Sequence, residues 1–76
     1  MRLSLDDCGK RLAQVHASLS FEDARLLLLD AYRRFRGHER YGGNMLQTLI
    51  QIEVSILQRA TDQELQQRLA VAREWF

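Results

Sequence analysis

Four sites in this 76-residue chain carry the chemistry that starts a helix. Ser4 is followed three residues on by Asp7, Ser20 by Asp23, Asn44 by Gln47 and Thr61 by Glu64. The first N–H groups of a helix have no partner within it. A short oxygen-bearing side chain accepts one of them, and a longer acidic or amide side chain three places later reaches back to the cap. Thr61–Glu64 is the strict form of this pairing; the other three are looser relatives. Apolar residues follow each cap at helical spacing. The chain is therefore predicted to be all-α, a small bundle of four short helices arranged as two helical hairpins, with residues 1–76 forming a single helical domain.

The predicted helices span residues 5–17, 21–36, 45–59 and 62–76. Along the first, Leu5, Cys8, Leu12, Val15 and Leu19 share one side, while Gly9 weakens it by about 1 kcal/mol relative to alanine. Gly37 is the expected terminator of the second helix, and Arg33, Arg34 and Arg36 suit the negative end of its dipole. The loop 37–43 separates the two halves.

Composition sets limits on function. The hydrophobic fraction of 46% suffices for a core, although 76 residues is near the lower limit for one without a staple. A lone cysteine, Cys8, excludes an internal disulfide. A net charge of +1 implies no strong general attraction to nucleic acid or anionic lipid. The longest apolar run, Leu26 to Leu29, is far shorter than a membrane span, and the N-terminus turns acidic at Asp6 and Asp7, unlike a signal peptide. A cytoplasmic protein is the expectation.

Helical wheels place more apolar surface than one face requires. On helix two, Phe21, Ala24, Leu28, Ala31, Tyr32 and Phe35 share a face, whereas Leu26 and Leu29 fall elsewhere, beside Arg25 and Arg33. Helix three carries two seams, Met45, Leu49, Ile52 and Ile56 in one and Leu46, Ile50, Val54 and Leu57 in the other. Either helix three is central and packs on both flanks, or one seam meets another chain. Glu53 falls between the seams, where a carboxylate needs a cation such as Arg33 or Arg59. Phe76 continues the Leu65–Leu69–Ala72 stripe toward the core, and Trp75 points away from it.

Catalytic and metal-binding patterns are not found. Cys8 and His16 diverge around one helix and cannot meet, and His38–Glu39 lacks the second histidine of a zinc motif. The acidic pairs Asp6–Asp7 and Glu22–Asp23 sit in first turns, where they complement the helix dipole. The chain is expected not to be an enzyme and to need no cofactor or metal.

The functional expectation is a small non-catalytic protein–protein interaction module of chaperone, inhibitor, immunity or adaptor type, forming a homodimer or heterodimer. Leu26, Leu29, Leu46, Ile50, Leu57 and Trp75 are its candidate apolar contacts, and Arg33, Arg34, Arg36, Arg40 and Tyr41 its rim. The alternative is a small nucleic-acid-binding regulator, in which the basic cluster at residues 33–40 neutralises phosphates and Tyr41 stacks on a base. No membrane partner is expected.

Overall fold

The caps at Ser4, Ser20 and Thr61 form as their side chains dictate. Ser4 and Ser20 each accept the N–H three residues on at 3.1 Å, and Thr61 accepts that of Glu64 at 3.2 Å. Only Glu64 also reaches back, accepting the Thr61 N–H at 3.4 Å. Aspartate is one methylene shorter, and Asp7 instead accepts the Ser4 hydroxyl at 2.9 Å. The strict pair and the two serine–aspartate pairs thus differ by reach.

The structure, a computed structural model, describes residues 3–36 and 45–76; the predicted loop 37–43 and the Asn44 cap lie outside the described residues. The described residues form α1 (Leu5–Val15), α2 (Phe21–Phe35), α3 (Met45–Arg59) and α4 (Asp62–Trp75). None of these helices is long and apolar enough to cross a membrane. The Cα radius of gyration, 11.7 Å, is close to the roughly 11.4 Å of a well-packed chain of this length.

α1 stops two residues before the predicted end. His16 leaves helical geometry at φ −122° and ψ 87°, and the Leu19 N–H closes a turn onto its carbonyl at 2.8 Å. That turn drops Leu19 into the core directly before the Ser20 cap and leaves Val15, expected on the inner stripe, exposed. Cys8, by contrast, is fully buried, and burial raises its thiol pKa, so it packs as a small hydrophobe.

The central element is α2 and not α3, because α2 packs against each of the other three helices. Its four-leucine run explains this role. Leu27 and Leu28 are fully buried with Ala24 and Ala31, and Leu26 packs half-buried against the same core. Consecutive leucines project on different sides of a helix, so a run of them is buried only when neighbours cover several sides. α1 and α2 pack as a hairpin, whereas α3 and α4, expected to form a second one, pack little against each other; α3 packs instead on α1 and α2, and α4 on α2. α3 contributes Leu49, Ile50 and Leu57 to the core, and α4 contributes Leu65, Leu69 and Ala72.

Gly9 marks the closest approach of α1 to α2. A Cβ there would lie 3.1 Å from the Phe21 ring edge, 3.3 Å from Arg25 Cβ and 3.4 Å from Arg25 Cα. The ring can yield, but the α2 backbone cannot without moving the helix. Gly9→Ala is therefore expected to change stability by less than about 1 kcal/mol, its gain in helix propensity offset by this crowding. Gly9→Val should cost about 2 kcal/mol or more by forcing the pair apart. Urea denaturation of both variants measures the difference.

Candidate interaction surface

Two clusters of side chains stand out from the packing, one buried and one exposed. The buried cluster is centred on Glu53, whose side chain is 0% exposed. Wheel geometry placed it between two apolar seams; it occupies the middle of the buried face of α3, flanked by Leu49, Ile50 and Leu57. Its partners differ from the arginines expected. Arg68 of α4 donates from one nitrogen to both carboxylate oxygens, at 2.9 and 2.7 Å, and Arg34 of α2 lies 3.5 Å away. Arg34 also pairs with Asp30 at 3.1 Å, and Asp30 is itself buried. Two carboxylates and two guanidiniums thus tie α2, α3 and α4 together with balanced charge. Burial pushes the Glu53 pKa up, against the pull of Arg68 and Arg34. Arg68 Nη1 is buried without a hydrogen-bond partner among the described residues.

The second cluster faces outward, where α4 crosses α2. The Arg33 guanidinium lies over the Trp75 ring, 3.2 Å from its centroid. Ten positions before Arg33, Asp23 accepts from Arg73 at 2.9 Å. These contacts are about 15 Å apart along α2 but involve α4 residues only two positions apart, so the two helices cross. Trp75 is 57% exposed, and Val71, one turn earlier on α4, is 48% exposed. On α2, half-buried Leu29, exposed Tyr32, Arg33 and Arg36 lie within about 100° of the helix circumference. A guanidinium held flat on an indole joins these two apolar patches.

Of the candidate contact residues, Leu29, Arg33, Arg36 and Trp75 come together in this surface. Ile50 and Leu57 do not, because both are buried in the core and offer no face to a partner. Leu26 and Leu46 are half-buried and packed against that core. Arg34, though 46% exposed, pairs with Asp30 and Glu53. Arg40 and Tyr41 lie outside the described residues. Tyr32 and Phe76, both expected inside, are exposed, as is Ile56 of the seam beside that of Leu57. Sequence reasoning missed Arg68 and Val71. The demand of Glu53 for a cation, and the spacing of Val71 one turn before Trp75, were the signals for them.

A groove of about 170 Å³ lined by Arg11, Gln47, Ile50 and Gln51 is smaller than the roughly 300 Å³ at which ligand pockets begin. No group of histidine, cysteine and carboxylate side chains able to hold a metal occurs among the described residues. Cys8 is a buried free thiol, and His16 Nδ1 lies 2.6 Å from the Ser18 hydroxyl. No protein-family model, curated protein or solved structure matches the chain.

Proposed function

We propose that this protein is a small non-catalytic interaction module that docks on another protein through the α2–α4 crossing. The supporting observation is the set of exposed Tyr32, Val71 and Trp75 with half-buried Leu29, organised around the Arg33–Trp75 stack, on a domain whose core is already filled. Exposed aromatic and arginine side chains held in fixed positions are the usual anchors of protein interfaces. They lose little conformational freedom on binding because much of it is lost on folding. A chaperone, inhibitor, immunity factor or adaptor would each use such a face.

The experiment is affinity capture from the native host by the immobilised chain. Trp75→Ala and Leu29→Glu are compared with Gln66→Ala, an exposed α4 change away from the crossing. Removing an aromatic anchor should weaken binding by about 2 kcal/mol or more, roughly thirtyfold in affinity. A partner retained by wild type and Gln66→Ala but lost from both face variants is the expected result. Identical retention by all four proteins would overturn the assignment.

A further inference from the structure

Resting on that docking reading, we infer that the α2–α4 face recognises an acidic protein segment, in which a carboxylate beside apolar side chains is received by Arg33 and Arg36.

Four arginines already lie beside a carboxylate of the fold. Arg25 pairs with Asp6, Arg34 with Asp30 and Glu53, Arg68 with Glu53, and Arg73 with Asp23. Arg33 and Arg36 have no carboxylate partner among the described residues, and both are exposed. Stacking on Trp75 uses the face of the Arg33 guanidinium and leaves its in-plane N–H groups without a carboxylate partner among the described residues. Those donors form the fork that matches a carboxylate, with the orientation already fixed. Glu74, the nearest carboxylate in sequence to Trp75, projects about 100° away around α4 and forms no ion pair with Arg33.

The same geometry disfavours two other occupants. A polynucleotide needs a track of cations, but Arg25, Arg34 and Arg73 are neutralised within the fold, and Arg33 covers the Trp75 ring from one side. A second copy meeting this face by two-fold symmetry would set Arg33 and Arg36 against their own counterparts. An acidic and apolar segment of another protein complements both the charge and the apolar surface of exposed Tyr32 and Val71 with half-buried Leu29.

Trp75 is the sole tryptophan, so its fluorescence reports on the site directly. The probe is a short helical peptide combining glutamate and leucine, compared with a counterpart in which glutamine replaces glutamate. A saturable change in emission is expected with the first, and binding should be about tenfold or more weaker with the second. Arg33→Gln and Arg36→Gln should produce a similar loss with the glutamate peptide, while Arg59→Gln on α3 should not. Circular dichroism verifies that each variant is folded. Equal binding of the two peptides would overturn the inference, as would a larger response to a thymidine oligonucleotide. So would emission that changes with protein concentration alone, together with a dimer in sedimentation. Silence with both peptides, alongside capture that still depends on Trp75, would refute the acidic partner and leave the docking face standing.

Discussion

Arg68→Met is expected to destabilise the fold by about 3–5 kcal/mol at neutral pH, because it leaves Glu53 buried without its nearest cation. A chain of 76 residues has a total stability of only about 4–11 kcal/mol, so this loss brings the protein close to unfolding. Arg34 cannot substitute fully, since it stands 3.5 Å from Glu53 and is shared with Asp30. The pH dependence gives an independent check. Burial already raises the folded pKa of Glu53, and removal of Arg68, which pulls it down, raises it further. A carboxylate whose folded pKa exceeds its unfolded value binds more protons when folded. Its stabilising contribution is complete below the unfolded pKa and is lost as pH rises through the folded one. Arg68→Met should therefore recover stability on acidification from neutral pH toward the ordinary carboxylate range. Glu53→Met with Arg68→Met should restore stability at neutral pH and remove most of that dependence, since apolar pairs of similar volume replace buried ion pairs at little cost. Thermal melts of wild type and the two variants between acidic and neutral pH measure it. A single variant as stable as wild type would show that the pair contributes nothing to holding α4.

How far such features can be read from sequence depends on the distance over which the responsible interaction acts. The caps were legible because each is settled within four residues: Ser20 and Thr61 find their N–H partners three positions away. The need of Glu53 for a cation was legible for the same reason, since its apolar neighbours on α3 define its surroundings. Its partner was not, because Arg68 arrives from α4 by tertiary packing. The end of α1 was overestimated because the periodic pattern continues to Leu19, but the chain turns at His16 and delivers Leu19 to the core by another route.

The interaction surface follows the same logic. Arg33 and Trp75 were each recognisable as residues that the core would not absorb, yet nothing local to either indicates that they meet. Their contact depends on α4 crossing α2, with Arg73 and Asp23 as the second point of contact. Arg34 illustrates the converse. It reads as one of a series of basic residues at a helix end, but its position one turn after Asp30 and opposite Glu53 pairs it with both. Among the described residues of that basic cluster, Arg34 becomes a structural tie, and Arg33 and Arg36 remain as an exposed pair.

Two adjacent residues of α3 are expected to respond oppositely to the same substitution. Leu57 is 1% exposed and Ile56 39% exposed, so the helix turns about 100° between a core position and a solvent-facing one. Leu57→Glu removes a buried leucine and puts a carboxylate in its place in the core. The combined loss is about 4 kcal/mol or more, enough to unfold a domain of this size. Ile56→Glu puts its charge in water and should change stability by about 0.5 kcal/mol or less. Far-UV circular dichroism with urea titration distinguishes the two outcomes, and sedimentation velocity identifies any change in mass. The contrast also separates the two seams of α3. If Leu57 belonged to an outward docking face, Leu57→Glu would remain folded and lose only association. In a core that Leu57 completes together with Leu49 and Leu69, there is no folded state left in which to measure it.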